Sequence, residues 1–284
     1  MATIFTNQAT LNYNGTMIRS NIATGILEGL LWVTKEALQD SYAAEDTLTY
    51  VVSIVNKSDT SATAVSVNDN LGAYVIGQTS VEPLDYVPGS VQYYSNGVRQ
   101  DDPAVSTANG LEITGLTVPA NGNIMLIYAA KVNEFAPLDT DGEIINTVTV
   151  EGLDIADVTA SQTVSVTNAS ILSVIKSVSP IPVAENGELT YTFQLENAGN
   201  TAVTEADNAT ISDTFDPVLT DIHVIFNGEK LQEGTDYTYD ENTGLFETVD
   251  GVISIPAATF AQDETTGVWT ATPGSSTLII TGTV

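Results

Sequence analysis

Two stretches set 141 positions apart constrain this chain more than anything else in it: TLTYVVSIVN, residues 47–56, and ELTYTFQLEN, residues 188–197. Tyr50 matches Tyr191 and Asn56 matches Asn197, and the same offset sets Lys35 in LLWVTKEAL against Lys176 in ILSVIKSVSPIP. After a three-residue insertion VSVNDNLG aligns with TISDTFDP, which puts Asp69 opposite Asp213, and the hairpins VQYYSNGVRQ and VIFNGEKLQ follow in step. Similarity of this length at a fixed offset is one folding unit written twice. A chain of 284 residues has room for two such units, each with its own core.

The units read as all-β. Short alternating runs of Thr, Val, Ser, Asn and Asp are punctuated by Asn14-Gly15, Asn96-Gly97 and Asn227-Gly228, the dipeptide that two-residue hairpin turns demand. ILEGLLWVTKEALQD, residues 26–40, has helical propensity, but its repeat partner carries the Val and Pro of a strand, so both stretches are expected to be first strands. The expected organisation is a segment 1–25 followed by two tandem β-sandwich domains, 26–167 and 168–284.

The repeats differ at their ends. The first closes with EIINTVTVEG, residues 143–152, whereas the second runs to STLIITGTV without a matching strand. The opening IFTNQATLNYNG resembles that closing strand: Asn146 lies 30 positions before Lys176, and Asn7 lies 28 before Lys35. Residues 1–25 are therefore expected to be a displaced last strand or hairpin, with Phe5, Asn7, Ala9, Leu11 and Tyr13 on one face, donated to the second domain of a neighbouring copy. The expected partner is the chain itself, in a head-to-tail homopolymer. Folding of the segment back onto its own chain is the competing arrangement.

Strand side chains alternate, so a period of two assigns the faces. Lys35 shares one with Leu31 and Val33, Lys176 with Leu172 and Val174, Asn146 with Val148 and Val150, Asp69 with Val65 and Val67, and Asp213 with Ile211. A Lys and an Asp thus lie on core faces in each repeat, and an Asn does so twice over, as Asn146 in the first repeat and as Asn7 on the displaced opening strand. Burying lone charges is costly, and apolar surroundings push a lysine pKa down and an aspartate pKa up, so a neutral amine and a protonated acid can coexist. That is the chemistry needed for the amine to attack the carboxamide and release ammonia, leaving an isopeptide bond: Lys35 with Asn146 within the chain, Lys176 with Asn7 between chains, Asp69 and Asp213 shuttling protons. The alternative is a buried Lys-Asp ion pair with Asn completing its hydrogen bonds. Glu45 and Glu188 are second candidates for the proton carrier.

Other classes find little support. With 36 acidic and 7 basic residues the net charge is −29, which repels nucleic acid and anionic membrane surfaces. There is no cysteine, and LDTDGE, residues 138–143, lacks the full calcium-loop pattern, so neither metal nor cofactor is expected. The one histidine, His223, sits between Ile222 and Val224 with no nucleophile motif nearby, so no enzyme activity is expected beyond self-crosslinking. The N-terminus lacks the basic start and apolar run of an export signal, and no stretch approaches the length of a membrane span. A carbohydrate-binding adhesin using Tyr86, Tyr93, Tyr94 and Trp269 is the alternative function, weakened because tyrosines in β proteins mostly pack across strands.

VTKEA and VIKSVSP, DTLTYVVSIVN and GELTYTFQLENAGNTAVT, VNDNLG and ISDTFDP, and INTVTV with TNQATL together resemble the conserved repeat domain of bacterial surface proteins, domain of unknown function eleven, and the related isopeptide-forming domains of Gram-positive fimbrial subunits. The resemblance covers nearly the whole chain. It implies immunoglobulin-like sandwiches in an extracellular filament, pilus-like or a spore appendage, on a bacterial cell or spore surface, with the Lys, Asp and Asn residues above as the crosslinking set. Similar tandem-repeat proteins of clostridia occur in spore appendages. The chain shows no sorting motif, so sortase-linked assembly is not expected.

Overall fold

The computed structural model describes residues 3–27, 29–153 and 155–284. The chain is all-β, as expected: immunoglobulin-like sandwiches follow an N-terminal hairpin, and the described residues add only a one-turn 3-10 helix at Glu205–Asp207. Two compact units form, one from residues 1–137, 142–165 and 264–267 and the other from 138–141, 166–263 and 268–284.

The hairpin opens the first unit. β1 (Thr3–Asn7) pairs with β4 (Ala23–Leu27), and β2 (Thr10–Tyr13) pairs with β3 (Thr16–Arg19). Asn14 and Gly15 join them with φ of 48° and 77°, the double positive φ of a type I′ turn. Between the Asn7–Ala23 pair and the mutual hydrogen bonds of Ala9 and Ser20, one residue, Gln8, stands against two, Asn21 and Ile22, so the returning strand carries a β-bulge. Every side chain from Phe5 to Thr24 is exposed, so the segment is not folded into a core of its own chain.

The sandwich of this unit comprises β5 (Leu31–Ala37), β6 (Ser41–Tyr42), β7 (Thr47–Asn56), β8 (Ala62–Asp69), the short β9 (Tyr74–Ile76), β10 (Thr79–Val81) and β11 (Leu84–Tyr86), β12 (Gln92–Ser95), β13 (Val98–Arg99), β14 (Ala104–Ser106), β15 (Leu111–Val118), β16 (Asn123–Val132), β17 (Glu143–Glu151) and β18 (Val158–Val166). One sheet runs β13-β12-β16-β7-β5 and the other β14-β15-β8-β17-β18-β6. The helical propensity of residues 26–40 loses to packing: β5 pairs with β7 along its length and buries Leu31, Val33 and Lys35 on one face. β7 and β16 show why the sheets close. Leu48, Tyr50, Val52 and Ile54 alternate inward on one, and Ile124, Leu126, Tyr128 and Ala130 on the other. Each such large apolar side chain contributes about 1.5–3 kcal/mol on burial.

The second unit repeats the plan with β19 (Leu172–Ser179), β20 (Glu188–Asn197), β21 (Ser212–Thr214), β22 (Thr220–Phe226), β23 (Glu229–Lys230), β24 (Tyr237–Asp240), β25 (Leu245–Thr248), the hairpin β26 (Thr259–Gln262) and β27 (Trp269–Thr272), and β28 (Gly274–Thr283). Its sheets run β19-β20-β28-β22-β23 and β21-β25-β24 around Phe193, Phe215, Phe246, Leu278 and Ile280. Strand by strand β19 matches β5, β20 matches β7, β28 matches β16 and β21 matches β8. Nothing among the described residues of this unit matches β17 or β18. β8 is flanked by both β15 and β17, whereas β21 pairs with β25 alone.

Candidate functional site

In the first unit Lys35 projects from β5 across the sandwich to Asp69, at the end of β8 in the facing sheet, and its Nζ donates to Asp69 Oδ2; both side chains are fully buried. β5 and β17 approach within 8 Å between Cα atoms, and Asn146 of β17 is 0% exposed. The Asp69 register with Val148 places Asn146 two residues away on the same face of β17.

The turn after β8 builds the site. Asp69 Oδ1 accepts from Leu71 N at 2.8 Å, and Asn70 Oδ1 accepts from Gly72 N at 3.1 Å and from Thr147 N at 2.8 Å, which ties the turn to β17. Gly72, at φ 76°, donates its N–H to Asn146 Oδ1 at 3.2 Å; a Cβ there would lie 2.7 Å from Ile144. Gly110 is needed for closeness, since a Cβ at that position would lie 2.4 Å from the Asp69 carbonyl oxygen.

Two tyrosines complete the cluster. Tyr50 and Tyr128 pair directly across β7 and β16 and stack at 5.7 Å, with the Lys35 amine 4.8 Å and 5.9 Å from their ring centroids. Tyr128 donates its hydroxyl to Asp69 Oδ2. Among the described residues Tyr50 Oη and Asn146 Nδ2 are the buried side-chain polar atoms with no hydrogen-bond partner. Burial pushes both tyrosine pKa values well up, and the neighbouring Asn146 amide opposes the rise at each. Burial also pulls the Lys35 amine down to about 8, against the attraction of Asp69.

Asn146 thus presents a buried carboxamide whose oxygen accepts a backbone N–H. The cluster brings together the three groups that attack of an amine on a carboxamide requires: the Lys35 amine, the Asp69 carboxyl group and the Asn146 amide, whose oxygen accepts the Gly72 N–H.

The second unit brings Lys176 and Asp213 together in the same way, with Asp213 Oδ1 accepting from Thr214 N at 2.9 Å. Tyr191, Phe193 and Phe215 put their ring centroids 4.4 Å, 5.5 Å and 5.5 Å from the Lys176 amine. This pair is open: the Lys176 side chain is 38% exposed, and Leu172 and Val174 are 53% and 61% exposed where Leu31 and Val33 are 3% and 9%. They line a cleft of about 530 Å³ with Ile211, Asp213, Phe193 and Ile255. Asn7 stands exposed on β1 with Phe5, Ala9, Leu11 and Tyr13 nearby along the hairpin.

Glu45, weighed as a proton carrier, instead pairs with Lys131 at the surface, and Glu188 is likewise exposed. Of the aromatics considered for carbohydrate, Tyr93 gives its hydroxyl to Thr117 O at 3.1 Å and Tyr94 to Gln92 Oε1 at 2.9 Å. The sequence reading missed the roles of Tyr128 and Gly72. Neither left a signal in the sequence: Tyr128 is marked by its pairing with Tyr50, which only the register shows, and Gly72 acts as a backbone donor.

No family model matches the chain, and none of the curated proteins matches it. Among solved structures it is similar to a 35 kDa C-terminal fragment of the major pilin GBS80 of Streptococcus agalactiae, at 12% identity and a TM-score of 0.34, covering 51% of this chain and 58% of that one. The pilus backbone RrgB of Streptococcus pneumoniae matches at 12% identity and 0.34, over 86% of this chain and 55% of that one. BcpA, the major pilin subunit of Bacillus cereus, matches at 11% and 0.38, over 96% and 73%. The chain thus spans little more than half the length of the first two.

Proposed function

We propose that this chain is a structural subunit of an extracellular filament, pilus-like or a spore appendage, that grows head to tail as the N-terminal segment of one copy enters the open cleft of the next copy's second unit. Isopeptide bonds then form, Lys35 with Asn146 inside the first unit and Lys176 with Asn7 across the joint.

One correspondence carries this reading. The inward residues of β17 are Ile144, Asn146, Val148 and Val150, all buried. Setting Asn7 on Asn146 gives Phe5, Asn7, Ala9 and Leu11, an apolar-Asn-apolar-apolar series of the same order. In that register Ala9 stands opposite Asp213 as Val148 stands opposite Asp69. Strand addition would satisfy the open edge of β21 and cover the apolar cleft together.

The bond-forming step balances without a co-reactant. The neutral lysine Nζ attacks Cγ of the asparagine, the new C–N bond forms as the bond to Nδ2 breaks, and the amine's proton passes through the aspartate to the departing nitrogen, which leaves as ammonia. A contact made from different patches on each copy gives a filament when its repetition does not close into a ring. The net charge of −29 favours solubility of the free subunits.

Lys176→Ala tests the two layers of this reading. Filaments of that variant are expected to form and then dissolve to monomers in hot detergent, while the parent keeps a ladder of multimers. A parent that gives monomers alone under the same treatment contradicts the covalent joint.

A further inference from the structure

Opposed residues of an antiparallel pair share a face, so the hairpin's returning strand can be read as closely as its first. Phe5 faces Gly25, Asn7 faces Ala23, Ala9 bonds Ser20, and Leu11 faces Ile18. The opposite face carries Thr6 with Thr24, Thr10 with Arg19 and Asn12 with Met17. Between residues 5 and 24 one face of the two-stranded ribbon is therefore mostly apolar on both strands, interrupted by Asn7 and Ser20, and the other is mostly polar. A single donated strand would need no such match in the strand behind it.

The first unit shows what a second strand does there. β18 pairs with β17 from Glu143–Ser165 to Val150–Val158, and Val158, Ala160 and Val164 lie opposite the buried Val150, Val148 and Ile144. Val164 and Val166 are themselves buried, and Val158 and Ala160 are half-buried. With Asn7 on Asn146, Ile18 falls at Val158, Ser20 at Ala160 and Gly25 at Val164. Gly25 answers to volume: a Cβ there would lie 2.3 Å from the Phe5 ring, so the larger Phe5 in place of Ile144 is matched by the loss of a side chain opposite.

Resting on the strand-donation reading above, we infer that the donated element is the whole hairpin Thr3–Leu27, whose returning strand takes in the next copy the place that β18 holds in the first unit, with Ile18 against the acceptor. The partner is a second copy of this chain, and the interface is two strands wide. The bulge at Asn21-Ile22, absent from the unbroken β17–β18 register, keeps Ala23 and Ile18 on the same face as Asn7 and Leu11 although an extra residue lies between them.

Three substitutions of equal charge separate the possibilities, all on exposed hairpin side chains outside either core: Leu11→Asp, Ile18→Asp and Met17→Asp. The readout is the subunit concentration at which purified full chain begins to form filaments, followed by light scattering. Leu11→Asp, at the place of the buried Val150, is expected to raise that concentration at least about tenfold, Ile18→Asp, at the place of the half-buried Val158, at least about fivefold, and Met17→Asp is expected to leave it within about twofold. If Leu11→Asp blocks assembly while Ile18→Asp behaves as Met17→Asp does, only the first strand enters and the inference is overturned with strand donation intact. Equal inhibition by Met17→Asp and Ile18→Asp overturns it as well. Assembly unaffected by Leu11→Asp overturns strand donation itself.

Discussion

Tyr128 donates its hydroxyl to Asp69, and the register position it holds opposite Tyr50 is occupied in the second unit by Ile280, opposite Tyr191. The two Lys-Asp pairs are therefore alike in their charges and unlike in what fixes the carboxylate. In the first unit Asp69 is held by Lys35, Tyr128 and the Leu71 N–H. In the second, Asp213 has Lys176 and the Thr214 N–H.

Tyr128→Phe removes one of those restraints without opening a cavity. Crosslinking in the first unit is expected to slow by about tenfold or more, as loss of a positioning hydrogen bond does in proton-transfer chemistry. Mass spectrometry after refolding follows it as the loss of one ammonia per chain. An unchanged rate would remove Tyr128 from the chemistry.

The same reaction is expected to accelerate with pH. Burial holds the Lys35 amine at about 8, and the amine is a nucleophile only when neutral. At two units below that value about 1% of chains carry the neutral form, so the initial rate at pH 6 is expected to be roughly fiftyfold below that at pH 8. A rate that is flat over this range contradicts attack by Lys35.

In an Asn146→Ala chain the first-unit bond cannot form, and Lys35 stays titratable. Its folded pKa of about 8 lies below the unfolded 10.5, so between these values the unfolded state binds more protons and stability rises with pH. The gain from pH 8 to pH 10 is on the order of 2 kcal/mol. Above 10 the trend is expected to reverse, because Tyr50 and Tyr128 hold their protons in the folded state at pH values where unfolded tyrosines lose theirs. Urea unfolding across the range measures both limbs.

Lys35→Met leaves Asp69 buried without its cation. The expected cost is about 3–5 kcal/mol in unfolding free energy, and adding Asp69→Leu is expected to restore a large part of it, since an apolar pair of similar volume often replaces a buried ion pair without loss. Denaturant titration of the single and double variants, each against the Asn146→Ala chain as the unreacted reference, decides it.

The burial of Lys35, Asp69 and Asn146 was legible in the sequence. Period-two alternation alone puts Lys35, Asp69 and Asn146 on inward faces, and the repeat makes the Lys and the Asp visible twice. Tyr128 could not be read this way, because the position that matches it in the second unit holds Ile280 and the match emerges only from the strand register. Gly72 acts through a backbone N–H that any residue would carry, so only its positive φ and its closeness to Ile144 mark it. Glu45 looked usable because it adjoins the Tyr50 strand, but the turn that sets it, at φ 66°, sends it to Lys131 at the surface. The bulge at Asn21-Ile22 could not be read either, since a one-residue slip between two polar-apolar strands has no signature until the pairing is known.

Mixing two preparations of the chain, one uniformly labelled with heavy nitrogen and one unlabelled, before assembly tests strand exchange most directly. After boiling in detergent and proteolysis, branched peptides joining Lys176 to Asn7 are expected to combine heavy and light halves about as often as mixing allows, with the Lys35-Asn146 branch in the same sample remaining all heavy or all light. Lys176-Asn7 branches that never mix labels, or a Lys176 recovered free from assembled material, would contradict a joint made between copies.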